Sequence, residues 1–202
     1  MQISHRRHHP PPVLLALALA ALLGALIHAG GEATAQEPKF KKIWLSNMRN
    51  AHEFGSMYLG GTVTPSALKN AREKKGVRTV VNLRLPGEQI DWDEGHTCRR
   101  YGMEYFNPGF KTPNTLSNRL LGMLRELLAD PRKRPILMHD SSGARTGAVW
   151  LAYRTLDETI PYDQALNEAR GLGLKTGELE DRVNAYITGV QTGAIRDTEG
   201  IH

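Results

Sequence analysis

Apolar residues along the chain fall into two kinds of run: short continuous blocks, and longer stretches with one apolar face. The clearest block is Val77–Leu83 (VRTVVNL), β-branched and nearly continuous, which predicts a strand buried on both faces. Met103–Phe106 and Pro135–Met138 predict two further strands, and Ile43–Leu45 a short one. Leu116, Leu120, Leu124, Leu127 and Leu128 recur at helical spacing and predict an amphipathic helix over Leu116–Leu128, ended by Asp130-Pro131. Ser66–Lys75 predicts a helix with Ala67, Leu68 and Ala71 inward. Thr64 suits its cap, Pro65 its first turn and Gly76 its end. Further helices are expected at His96–Tyr101, Gly143–Leu156, Tyr162–Gly171 and Glu178–Val190, with a Gly-Gly turn inside Met57–Pro65. Strands separated by helices of crossover length imply an α/β fold in three layers. Its central, mostly parallel sheet should have about four to five strands, with helices on both faces.

The first 35 residues stand apart from that pattern. Arg6 and Arg7 give a basic start, Val13–Ile27 is an uncharged apolar run, and Ala33-Thr34-Ala35 offers a small-residue cleavage site before Gln36. That order predicts a cleaved signal peptide over 1–35 and an exported protein, periplasmic or secreted. Retention as an anchor is the alternative, but the run falls short of the roughly 20 residues a spanning helix needs. An irregular entry segment is expected over 36–57, one domain over 58–191 and a flexible tail over 192–202.

Composition adds limits rather than a function. The chain has 202 residues and a net charge of +5, and removing Arg6, Arg7 and Glu32 with the leader leaves +4. This balance is mildly basic and carries no long block of like charge, which suits a small anionic ligand. Basic and aromatic residues do not interleave as a nucleic-acid surface would require. Cys98 is the only cysteine, so neither an intrachain disulfide nor a CxxC site can form. His52 and His96 lack partner spacing, and neither a metal nor a cofactor is expected. Nothing in the sequence sets an oligomeric state.

The chemistry concentrates where a buried strand meets a helix. Met138-His139 ends the third strand, Asp140-Ser141-Ser142-Gly143-Ala144 is small and polar, and Gly143–Gly147 opens a helix. Ligands of open α/β sheets sit at the carboxyl ends of strands, and a helix N-terminus offers free N–H groups and about half a positive charge. Arg145 stands in the first turn against that dipole, and its planar fork can hold two phosphate oxygens. The plainer possibility is that Arg145 pairs with Asp140, with Ser141 or Ser142 as a cap.

HDSSGARTGAVWLAY resembles the active-site region of cysteine-dependent tyrosine and dual-specificity phosphatases. It resembles more strongly a bacterial phosphatase-like branch, found alone or fused to metallo-hydrolase or NAD-kinase modules, whose loop is one residue shorter and reads HCxSGxR. His139, Ser142, Gly143, Arg145, Gly147, Trp150 and Tyr153 match. The flanks GGTVTP, GVRTVVNLR, Gly87-Glu88 and GMEYFNP also fall in register, from roughly Tyr58 to Leu172. The resemblance implies a phosphatase-type domain over 58–191 that binds a phosphorylated or other anionic ligand. Ser141, Ser142, Gly143, Ala144 and Arg145 would bind phosphate, and Asp140, Arg145 and Thr146 would take the catalytic positions.

Asp140 is the departure, standing where the family has its nucleophilic cysteine. Three outcomes are open: a nucleophile forming an acyl-phosphate, a base activating water, or a catalytically inactive scaffold that binds an anion or a protein. Asp140 could also fill the cradle itself as a built-in anion. The general acid is missing from Asn107–Asn114, where larger relatives carry one. Glu88, Asp91, Asp93 and Glu94 could supply a proton from the side, or simply form a solvated acidic loop. Arg84 could reach the anion or pair with those acids, and His139 is a further accessory candidate. Thr146 could orient a water, or be an ordinary helix-surface hydroxyl.

Overall fold

The computed structural model describes residues 39–88, 91–111 and 113–196. The expected signal peptide and the end of the expected tail lie outside the described residues. The described residues form one compact unit. Its six strands are β1 (Lys41–Lys42), β2 (His52–Phe54), β3 (Met57–Gly60), β4 (Thr79–Asn82), β5 (Glu104–Phe106) and β6 (Ile136–His139). Its helices are α1 (Pro65–Lys75), α2 (Glu94–Arg100), α3 (Asn118–Ala129), α4 (Ala144–Leu156), α5 (Tyr162–Leu172) and α6 (Glu178–Gln191). The strands lie side by side in the order β1-β2-β3-β6-β4-β5. β3, β6, β4 and β5 run parallel, whereas β1 and β2 add an antiparallel edge to β3.

Alternate side chains of the parallel strands feed two separate cores, as the period of two requires. Met57, Leu59, Val81, Ile136 and Met138 pack with α3, α4, α5 and α6, while Tyr58, Val80 and Leu137 pack with α1, Cys98 and Met103. Both clusters are built from residues within the unit, so it carries its own hydrophobic core. Among the described residues no helix is long and apolar enough to cross a membrane.

The sheet has six strands, beyond the four to five expected, because the hairpin β2–β3 lay hidden in the entry segment and the Gly-Gly turn. Gly60 is the last residue of β3, and Gly55, at φ +56°, turns the hairpin. The sheet therefore starts well before 58, the expected domain boundary, and Ile195 still bonds back to Gly189 beyond 192. The short strand near Ile43–Leu45 falls instead at Lys41–Lys42, since the left-handed turn at Ser46 and Asn47 bends the chain away. Helix α3 begins at Asn118 because Ser117 caps it, its Oγ accepting the Leu120 amide at 3.1 Å. Its buried stripe is accordingly Leu121, Leu124 and Leu128.

Candidate functional site

Register places the loop. Gly60 of β3 and Asn82 of β4 both lie opposite His139, the last residue of β6, so three parallel strands end at one level. The chain then crosses from β6 into α4 through Asp140–Gly143. Gly143 is held at φ +96°, and a side chain there would collide with the carbonyl of Leu172, so glycine is required. Gly61 lets the loop approach the end of β3, since a Cβ on it would sit 3.0 Å from the Ser142 carbonyl carbon. Thr62 Oγ1 donates to Ser141 O at 2.8 Å and ties the two segments together.

Asp140 is buried, and its carboxylate lies inside the loop. Oδ1 accepts the Gly143 amide at 2.5 Å, and Oδ2 accepts the Arg145 amide at 3.0 Å and Arg145 Nε at 3.4 Å. Thr146 Oγ1 lies 3.3 Å from Oδ1 and 2.9 Å from Gly60 O. It is buried, which removes it from the helix surface. The helix end and the arginine therefore serve a carboxylate already in the chain. The amides of Ser141 and Ser142 have no acceptor among the described residues.

Arg145 is engaged on every side. Nη1 and Nη2 meet the two oxygens of Glu88 at 2.8 and 2.7 Å, a two-pronged ion pair. Nη1 also lies 3.1 Å from Leu83 O and 2.6 Å from Phe110 O, and Nη2 donates to Ser141 Oγ at 3.0 Å. Burial works against the guanidinium charge, but hydrogen bonding to Glu88 and the charges of Asp140 and Glu88 prevail, and the net shift is upward. The hydrogen bonds from Arg145 hold the Glu88 carboxyl down at about 2. Glu88 is thus ionised near neutral pH and has no proton to give as a general acid.

The remaining candidates separate into two groups. His139 and Arg84 join a buried network that the sequence did not reveal. Glu94 accepts His139 Nε2 at 2.6 Å and Arg84 Nη2 at 2.6 Å, with Asn82 Nδ2 at 3.2 Å. Asn82 also accepts the Arg84 backbone amide at 2.9 Å and Nε at 3.2 Å, and reaches Tyr105. Arg84 therefore pairs with an acid rather than facing an anion, and Glu94 is a buried anchor instead of a solvated loop residue. Asp91 is exposed and bonds to nothing among the described residues, and Asp93 caps α2 by accepting the His96 amide. Cys98 is buried, and burial pushes its thiol up to about 12, which leaves it inert. Among the described residues no cluster of His, Cys, Asp and Glu could hold a metal.

No family model and no curated protein sequence matches the chain. Solved structures do. The core catalytic domain of the PP-IP phosphatase Siw14 from S. cerevisiae aligns with a TM-score of 0.61 at 16% identity, over 73% of this chain and 90% of that one. TpbA of P. aeruginosa, solved with phosphotyrosine, aligns at 0.60 and 19% identity over 81% and 96%. The chain has the tyrosine-phosphatase fold. PTPMT1 aligns at 0.58 and 11% identity over 73% and 97%, which places the same architecture on a still more distant sequence. At such identities the likeness concerns the fold, and the chemistry of this phosphatase-fold chain rests on its own residues.

Proposed function

We propose that this protein is a phosphatase-fold binding module that performs no phosphoryl transfer, its signature loop being occupied by its own Asp140. The observation that carries this reading is the Asp140 carboxylate accepting the Gly143 and Arg145 amides while Glu88 grips Arg145. Two carboxylates face one guanidinium and a helix end worth about half a charge, with exposed Lys111 exerting a weaker pull on Glu88. A phosphate dianion about 4 Å from Asp140 would be repelled by about 1 kcal/mol per charge pair in water, and by more in a dry site. For Asp140 to attack phosphorus it would also have to release amides whose unmet hydrogen bonds cost about 1–3 kcal/mol each.

A hydrolase using Asp140 as nucleophile or base is the competing reading, favoured by the resemblance of His139–Arg145 to the HCxSGxR loop, in which Asp140 takes the place of the cysteine. An aryl phosphate assay with and without magnesium separates the two. No turnover is expected; turnover that disappears in Asp140→Asn would refute the binding-module reading. Activity appearing only in Asp140→Cys would mean an intact scaffold that lacks its nucleophile. We also infer export, from the basic start, apolar run and A-x-A site of residues 1–35. Amino-terminal sequencing of the purified protein should begin at or near Gln36, and an intact Met1 would refute cleavage.

A further inference from the structure

Beside the closed loop lies an open groove of about 610 Å³, lined by Arg49, Ser142, Ala144, Gly173, Lys175 and Glu178 among others. Arg49 and Lys175 are both exposed, and neither side chain has an acceptor or ion-pair partner among the described residues. Glu178 is the acid in the lining, so cations outnumber acids two to one. The amino-terminal end of α6 opens on the same groove; its cap, Gly177, supplies no side chain to occupy the first amides, while Glu178, Glu180 and Asp181 in the first turn offset part of its positive charge. The opposing carbonyls at the end of α5 are already occupied, since Asn50 Nδ2 donates to Gly171 O and Leu172 O at 2.8 and 2.7 Å.

We propose that this groove, rather than the loop, is the anion site, and that it takes a phosphate monoester with Arg49 and Lys175 as its clamp. The proposal deepens the binding-module reading by naming where such a module receives its ligand and of what chemistry. The volume lies in the usual range for ligand clefts, with room for a phosphate and part of the group that carries it. Two cations without internal partners can meet a dianion without first breaking an ion pair, whereas Arg145 would have to leave Glu88. Ser142 belongs to both regions: its Oγ accepts the Ala144 amide at 3.3 Å, while its own amide has no acceptor among the described residues.

The test titrates the domain with inorganic phosphate, phosphotyrosine and glucose 6-phosphate by calorimetry, following phosphate release in parallel. Saturable binding of at least one ester below about 1 mM is expected. Arg49→Ala and Lys175→Ala should each weaken it about tenfold, or about 1.4 kcal/mol. Glu88→Gln, which frees the Arg145 fork, should leave it within about twofold. Comparing the two esters shows whether the carrier is a phosphorylated side chain or a sugar. No saturation with any probe overturns the groove and leaves the non-catalytic reading standing. Binding that ignores Arg49→Ala and Lys175→Ala but tightens in Glu88→Gln assigns the anion to the loop and overturns the groove. Phosphate release overturns the non-catalytic reading by itself.

Discussion

Two neighbouring regions of this molecule carry positive potential, and they differ in what is already bound to it. In the loop Asp140–Arg145 the guanidinium and two amides are matched by Asp140 and Glu88, groups of the same chain. In the groove next to it, Arg49 and Lys175 face solvent with no internal partner among the described residues. A tally of charge would rate the loop the stronger site, because its arginine is buried and fixed. What a ligand meets, however, is the bonding capacity left over: the groove keeps both of its cations, whereas the loop keeps only the amides of Ser141 and Ser142.

The largest expected effect comes from removing the group that both loop carboxylates share. Arg145→Ala leaves Asp140 buried without its counter-charge and should destabilise the fold by about 3–5 kcal/mol, read by urea unfolding. An effect below about 1 kcal/mol would mean that Asp140 does not depend on Arg145. Asp140→Asn keeps the shape but turns one acceptor into a donor facing the Gly143 or Arg145 amide. It should cost about 1–3 kcal/mol, whereas unchanged stability would mean that the carboxylate is not held by those amides.

Glu88→Gln should have a smaller effect, about 1–2 kcal/mol, because the pair is partly open to water. It also carries a pH signature. The Glu88 carboxyl sits at about 2 in the folded protein against an ordinary 4.5. Its contribution is therefore complete above about pH 4.5 and is lost as pH falls toward 2. Stability of the wild type should decline across that window more steeply than that of Glu88→Gln. Equal slopes would show that the ion pair does not form in solution. Last, Arg49→Ala and Lys175→Ala should change stability by no more than about 0.5 kcal/mol. A larger loss would mean that these cations serve the fold, and the contrast between the two regions would collapse.

The strands Val77–Leu83 and Pro135–Met138 were legible because burial on both faces demands a continuous apolar run. Helix α1 was legible from Thr64, Pro65 and Gly76, since its ends are set by local chemistry. The hairpin β2–β3 was not: strands of three and four residues carry too little periodicity, and Gly60 suggested a turn where it ends a strand. Within the candidate site, the stretch from Asp140 to Thr146 was visible from its small residues and its misplaced arginine. The pairing of Arg145 with Glu88, 57 positions away, was not. Neither was the tie from His139 to Glu94, 45 positions away. Glu88 and Glu94 looked alike as loop acids, and only their neighbours in space distinguish a partner of Arg145 from a buried anchor.

The sequence by itself determined the local matters: which segments are apolar on two faces or one, where helices begin, and that an aspartate and an arginine share one strand-to-helix turn. Those follow from backbone sterics and side-chain periodicity over a few residues. Tertiary structure decided which cations are already matched and which remain open. That outcome depends on carboxylates and carbonyls brought in from distant strands, and a hydrogen bond or ion pair depends on distance in space rather than along the chain.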